Sequence, residues 1–317
     1  MDYKYNFSII IPHKNIPDLL CRCVSSIPRR EDVEIIIVDD NSDPNIVDFE
    51  HFPCLGEKNV NVFFDKSGRG AGHARNIGLE NARGQWLIFA DADDFFFYSI
   101  RKAMDECLKS DADIIYYKST NLDCDTYKIG NRRSNITNNS IDKYLIDAEN
   151  GEHLIRMRHP APWGKLINAN LVHRHGIRFE EIPKANDYKF SYLCGYYASK
   201  IEAHDIAIYC ITSRANNLTS AQIPGLGIVV AKSEIDYLKF LREHNLYKTP
   251  TFVEYENDVF AILLDLKVQD NKAFVDVCIH MSECGYEESE INSKLKYIEN
   301  GRRKAKIVSK VKKILHI

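Results

Sequence analysis

Short apolar, β-rich runs alternate with helical stretches through residues 1–120, and this alternation restricts the chain to an α/β domain with a mostly parallel sheet flanked by helices. Phe7 to Ile11, Val33 to Val38, Val60 to Phe64, Trp86 to Phe89 and Ile114 to Tyr117 read as strands. Asn15 is placed to cap a helix that has Pro17 in its first turn and Leu19, Leu20, Cys23 and Val24 on its apolar face. Further helices are predicted over Ala74 to Ala82, ended by Gly84, and over Tyr98 to Lys109.

From Asn121 to Ser140 the chain turns polar, which predicts a long exposed excursion. Mixed helix and strand patterns resume up to Ser220, including the β-rich run Ala207 to Ile211, until Pro224, Gly225 and Gly227 mark a boundary. Beyond it the apolar spacing is helical, as in Ile235, Leu238, Leu241 and in Val259, Ile262, Leu263, Leu266. The expected organisation is an α/β domain over 1–223, with halves at about 1–120 and 140–223, a helical appendage over 224–300 and a basic amphipathic tail over 301–317.

Composition narrows the class further. At 317 residues and 44% hydrophobic, the chain can bury a full core, and its apolar runs fall far short of the roughly 20 residues that span a bilayer. Met1 to Phe7 lacks the features of a signal peptide, and nine scattered cysteines without a Cys-x-x-Cys pair fit reduced thiols, so a cytoplasmic protein is expected. The net charge is −3, but residues 302–317 hold seven Lys or Arg and no acid, leaving −10 for the remainder. An acidic body argues against a nucleic-acid binder.

The chemical signal lies in acid clusters directly after strands, where open α/β sheets bind ligands. Ile35 to Val38 runs into Asp39, Asp40, Asn41, Ser42 and Asp43, and Trp86 to Ala90 runs into Asp91, Ala92, Asp93 and Asp94. Three carboxylates in four positions repel one another, and a hard cation such as Mg²⁺ or Mn²⁺ shared with substrate phosphates would relieve this; a solvated turn is the alternative. Between the clusters, Ser67 to Asn76 is glycine-rich and basic, ends without the Lys-Ser/Thr of a P-loop, and would bring Arg75 and Arg69 toward an anionic ligand.

These segments resemble the family-2 glycosyltransferases of the GT-A fold, of the kind that builds bacterial surface polysaccharides. The resemblance rests on Ile10-Ile11-Pro12-His13-Lys14-Asn15, Ile37-Val38-Asp39-Asp40-Asn41-Ser42-Asp43, Ala74-Arg75-Asn76-Ile77-Gly78 and Phe89-Ala90-Asp91-Ala92-Asp93-Asp94, in the family's order and spacing. It implies that Pro12, His13, Asn15 and Asp39 belong to the nucleotide-sugar pocket, that Asp40 accepts hydrogen bonds from a uracil base, and that Arg75 holds the nucleotide. It makes Asp91-x-Asp93 the metal motif for Mn²⁺ or Mg²⁺, with Asp93 the direct ligand. Over residues 160–220 the match is looser. Trp163-Gly164-Lys165-Leu166 is similar to the family's Trp-x-Lys-Leu segment, and Asn186-Asp187 stands where the family has a Glu-Asp pair, so the first acid is absent and Asp187 retains the position of the catalytic base.

Glu180 and Glu181 are rival bases, and Asp187 could also cap the following helix. Trp163 either stacks on an acceptor sugar or packs as core, and Arg214 either meets the diphosphate or is a surface arginine. The resemblance implies an inverting hexosyl- or N-acetylhexosaminyl-transferase that moves a sugar from a UDP-sugar to a hydroxyl of a surface glycan or lipid-linked oligosaccharide by metal-assisted direct displacement. The basic tail would lie on an anionic membrane surface at the cytoplasmic face of the inner membrane, or else dock on the body through Ile307, Val308, Val311, Ile314 and Leu315. The competing classes are a catalytically silent scaffold subunit and a sugar nucleotidyltransferase.

Overall fold

A computed structural model describes residues 3–124, 126, 128–130, 134–213, 226–246 and 249–315. The chain divides into two compact units, Met1–Ala221 and Gln222–Ile317.

In chain order the first unit comprises β1 (Tyr5–His13), α1 (Pro17–Ser26), β2 (Val33–Asp40), β3 (Val60–Asp65), α2 (Ala71–Asn81), β4 (Gly84–Phe89), β5 (Phe95–Phe96) and α3 (Ile100–Cys107). There follow β6 (Ile114–Asp123), β7 (Ile129–Gly130), α4 (Ser134–Ile146), α5 (Ala148–Met157), β8 (Lys165–Asn168), α6 (Ala169–Arg174), α7 (Tyr188–Tyr197) and β9 (Ile201–Ser213). All the strands join one sheet in the order β3-β2-β1-β4-β8-β6-β9-β5, with β7 paired to β6. Strands β1 to β4 are mutually parallel, so the half expected to bind the ligand is a parallel sheet. The sheet as a whole is mixed, because β8 runs antiparallel to both β4 and β6, and β5 antiparallel to β9.

Helices cover both faces, which is why the strands read as unbroken apolar runs. Ile9, Ile11, Ile35, Ile37 and Ile88 belong to one core, and Ile10, Ile36, Val38, Leu87 and Phe89 to the other. Polar groups interrupt this pattern at one level of the sheet. The Ser8 hydroxyl donates to Glu34 Oε1 at 2.6 Å and accepts from the Gly84 N–H at 2.7 Å, while the Arg83 guanidinium pairs with Glu34 Oε2 at 3.1 Å. Gly84 therefore opens β4 rather than ending α2: a Cβ there would lie 2.5 Å from the backbone of Phe7 and Ser8.

The structure departs from two further expectations. Asn15 adopts a left-handed conformation and does not cap α1; Ile16 occupies the cap position without a side-chain bond. The described residues of the polar stretch after Asn121 carry regular structure, with β7 pairing on β6 and α4 burying Thr137, Ser140 and Ile141. Asn138 makes this possible by completing a gap in the ladder: its amide accepts from Ser119 N at 3.0 Å and donates to Ser119 O at 2.9 Å.

The second unit is helical, with α8 (Leu226–Glu243), α9 (Pro250–Gln269), α10 (Asn271–Glu283) and α11 (Glu288–Leu315). Thr249 and Asp270 cap α9 and α10, accepting from Phe252 N and Ala273 N. Ile235, Leu238, Val259, Phe260, Leu263, Val277 and Met281 form its core. The Arg302 guanidinium pairs with Asp265 at 2.6 Å and Arg303 with Glu299 at 2.6 Å, so the start of the basic tail is tied within this unit. The remaining side chains of the tail lie outside the described residues. Among the described residues, no helix is long and apolar enough to cross a membrane.

Candidate active site

The carboxyl ends of β1, β2 and β4 meet where the strand order changes sides, β2 and β3 lying on one side of β1 and β4 on the other. Such a switch point opens a crevice for a ligand. His13 at the end of β1 faces Asp39 at the end of β2, and both side chains are wholly buried, with Nδ1 2.8 Å from Asp39 Oδ1. The Ile16 N–H donates to His13 Nε2, so the proton of the neutral ring sits on Nδ1 and is donated to Asp39. Burial works to raise the Asp39 carboxyl, but the hydrogen bonds from His13 and Ser42 outweigh it and hold it below its ordinary range. His13 and Asp39 thus clamp two strand ends together, and their side chains do not reach the crevice.

Asn15 extends the clamp. Its N–H donates to Ser42 Oγ at 2.8 Å, and its Oδ1 accepts from Asp43 N at 2.7 Å. Asp40 is also buried, its Oδ1 accepting from Gly70 N at 2.9 Å and its Oδ2 from the half-exposed Lys14 ammonium at 3.0 Å. Pro12, partly exposed, occupies the neighbouring level of β1.

The acid turn after β4 divides its three carboxylates between two environments. Asp94 points inward, where Oδ2 accepts from the Tyr209 hydroxyl at 2.9 Å and Oδ1 from Thr212 N at 2.7 Å. The Tyr209 oxygen in turn accepts from Asp91 N at 2.8 Å, and Arg22 and the Thr212 hydroxyl both donate to the Asp93 carbonyl. Burial pushes the Asp94 carboxyl well up, and the nearby charges of Asp93 and Asp91 push it further. Asp94 therefore anchors the turn, while Asp91 and Asp93 remain partly exposed. Their all-oxygen donor set and surplus negative charge fit a hard divalent cation that keeps positions for phosphate oxygens.

Helix α2 carries the basic residue that organises the crevice. Arg75, 6% exposed, donates through Nη2 to Asp91 Oδ1 at 2.6 Å and through Nη1 to Asn186 Oδ1 at 2.8 Å. Its guanidinium also lies over the Phe179 ring. Gly72 serves close packing: a Cβ there would fall 1.9 Å from the Glu180 carbonyl oxygen, so the chain from Glu180 to Asn186 can rest against α2 only because residue 72 is glycine. Gly70, at φ 93°, supplies the N–H that holds Asp40.

Asp187 follows Asn186 at the N-cap position of α7, yet its side chain makes no cap bond. Solvent reaches it, but enough protein surrounds it that burial raises its carboxyl, opposed mainly by Arg75. Glu181 is different. His73 donates to it at 2.9 Å and Arg69 at 3.1 Å, and the His73 bond chiefly holds its carboxyl below the ordinary range. Of these two acids, Asp187 is the better poised to accept a proton.

Trp163 takes the packed reading rather than the sugar-stacking one. It is 6% exposed and stacked on Tyr209 with ring centroids 5.6 Å apart, supporting the residue that orients Asp91 and Asp94. Arg214 lies outside the described residues. Sequence reasoning missed Tyr209, Arg22, the part played by Asn186, and Lys165. The Lys165 ammonium is buried, donates to His159 O at 2.7 Å, and is pushed down to about 7 by burial, with Cys194 and Asp187 acting in the opposite sense. Its only sequence signal is its place in the Trp-x-Lys-Leu segment.

A sheet whose nucleotide-side half is parallel, with an Asp-x-Asp turn bonded to a buried arginine at its carboxyl end, gives the domain a fold of GT-A type. The chain belongs to glycosyltransferase family 2: residues 8–165 match the family model described as Glycosyl transferase family 2. It is similar to the uncharacterized glycosyltransferase EpsJ of Bacillus subtilis (strain 168), 25% identical over 221 residues that make up 67% of this chain and 62% of that protein. A PGL/p-HBAD biosynthesis glycosyltransferase of Mycobacterium bovis (strain BCG / Pasteur 1173P2) is 36% identical over 95 residues, 29% of this chain and 36% of that protein. The chain thus spans less than two thirds of the length of these curated relatives. Among solved structures, residues 1–349 of S. aureus TarS in complex with UDP-GlcNAc share the fold, with a TM-score of 0.60 at 18% identity over 95% of this chain and 92% of that one.

Proposed function

We propose that the first unit transfers a hexosyl or N-acetylhexosaminyl group from a UDP-sugar to a hydroxyl of a surface glycan or lipid-linked oligosaccharide, with inversion at the anomeric carbon. The observation that carries this reading is the Arg75 fork, which joins Asp91 to Asn186 and thereby sets the donor-side turn beside Asp187. The complexes of the TarS neighbour with UDP-GlcNAc and with UDP support a uridine nucleotide.

Asp40, fixed by the Gly70 N–H, reads the base, and the His13–Asp39 clamp with Asn15 shapes the loop beneath it. Asp93, with Asp91, would hold Mn²⁺ or Mg²⁺, which neutralises the charge that develops on a leaving diphosphate. Arg75 holds Asp91 in place through their 2.6 Å ion pair, and Arg214 would add positive charge near the diphosphate. Asp187 accepts the proton of the acceptor hydroxyl as its oxygen attacks from the face opposite the diphosphate. The amide oxygen of Asn186 accepts from Arg75, so this position keeps a hydrogen-bond acceptor although the acid is absent, which counts against a silent scaffold.

Calorimetry and thermal shift with UDP, GDP, CMP and dTDP and their sugar conjugates, with and without Mn²⁺, test this reading. Metal-dependent stabilisation by uridine nucleotides, lost in Asp93→Ala, is the expected result; no nucleotide binding would sink it. The basic run over 302–317 extends the reading to an anionic membrane surface at the cytoplasmic face. Removing 302–317 is expected to abolish co-sedimentation with anionic liposomes, and unchanged co-sedimentation would remove the membrane from the proposal.

A further inference from the structure

The helical unit carries a cluster of unlike ligand types of its own. Asp236 on α8, His280 on α10 and Cys284 at the C-cap of α10 turn one ligand atom each toward a common point, all within 4.8 Å of one another. His280 Nε2 lies 2.8 Å from Asp236 Oδ1, and Cys284 Sγ lies 3.6 Å from Asp236 Oδ1 and 3.8 Å from His280 Nε2. The other ring nitrogen, Nδ1, faces Glu283 Oε2 at 3.6 Å.

We propose that Asp236, His280 and Cys284 bind a divalent cation of the zinc class, cross-linking α8 to the end of α10. Tetrahedral zinc, with Zn–S of about 2.3 Å and Zn–N or Zn–O of about 2.0–2.1 Å, sets its ligand atoms about 3.3–3.6 Å apart. Both contacts of the sulfur are already near that spacing, and only the His280–Asp236 pair must open, by about 0.5 Å. A thiolate, an imidazole and a carboxylate select a borderline cation over Mg²⁺ or Mn²⁺, which separates this site chemically from the Asp91–Asp93 turn. Glu283 stands where an outer carboxylate orients a ligating histidine. All three ligands are partly exposed, so a cation has a path in and water can complete the coordination shell. The charges balance: the cation displaces the thiol proton to solvent, and thiolate and carboxylate together neutralise its two positive charges.

Titration of the full metal-free chain with Co²⁺, a spectroscopic substitute for Zn²⁺, tests this. One equivalent is expected to produce thiolate-to-cobalt charge-transfer absorption and the intense visible bands of tetrahedral cobalt, both displaced by Zn²⁺. Cys284→Ser should abolish the charge-transfer band and His280→Asn should weaken Co²⁺ binding at least tenfold, whereas Cys278→Ser and Asp93→Ala should change neither. Asp236→Asn, expected to weaken binding, is the second variant should Cys284→Ser fail to fold. A chain that gives no charge-transfer band, or one whose band survives in Cys284→Ser, overturns the proposal without touching the reading of the first unit.

Discussion

Asp187→Asn is expected to lower glycosyl transfer by about 10²- to 10⁴-fold, the usual contribution of a positioned general base, while metal-dependent UDP binding persists. The prediction rests on the contrast between two nearby acids. His73 and Arg69 hold the Glu181 carboxylate ionised, whereas burial raises that of Asp187. A base works only when deprotonated, so wild-type kcat/KM should fall as pH drops through a midpoint above the ordinary aspartate value of about 3.9. The same shift has the opposite sign for stability. A carboxyl raised on folding binds its proton more tightly in the native state, so stability falls as pH rises through that range. The asparagine variant should therefore unfold at a higher midpoint than wild type at pH 7. A variant that transfers sugar at the wild-type rate would move the base elsewhere, with Glu180 the next residue to test.

Arg75→Met is expected to cost about 3 kcal/mol in chemical denaturation, the lower end of the range for breaking a buried ion pair, because Asp91 remains partly open to solvent. The substitution strands two acceptors at once, Asp91 Oδ1 and Asn186 Oδ1, and removes the cation from the Phe179 ring. Arg75→Lys should recover only part of this loss, since a single ammonium cannot span both partners as the planar fork does. Urea midpoints of the three proteins check the ranking. Equal midpoints for wild type and Arg75→Met would mean that Arg75 contributes charge to a ligand and nothing to the architecture.

The strand ends and the acid turn were legible in the sequence because apolar runs followed by Asp-rich segments have few other uses in a parallel sheet. Individual roles within those motifs were not. His13, Asp39 and Asp94 belong to the motifs yet are buried in one another or under Tyr209, and only long-range contacts distinguish them from Asp91 and Asp93, which stay partly exposed. Gly72 looked like part of an anion-binding loop, but its glycine is required by a carbonyl more than 100 positions away in the chain. The ordering of α4 was hidden because the signal is a single amide, Asn138, standing in for a strand partner. The Asp236, His280 and Cys284 group was invisible for a related reason: the two ligands four positions apart on α10 become notable only when α8 brings the third.

The Ser8–Glu34–Gly84 contacts bear on how reliably this chain folds. A strand whose every side chain is apolar offers little to distinguish one alignment with its neighbours from the next, since a slip still buries hydrocarbon on both faces. A buried carboxylate that finds its hydroxyl and its guanidinium in one alignment alone makes every other alignment pay the cost of an orphaned charge. It serves as an index mark for β2, β1 and β4. A slip by one residue would carry Asp40 about 3.3 Å along the strand and turn it to the opposite face. The level at which the acids of the crevice come to rest is therefore decided near the other end of the strands, five residues before His13, by groups that touch no substrate.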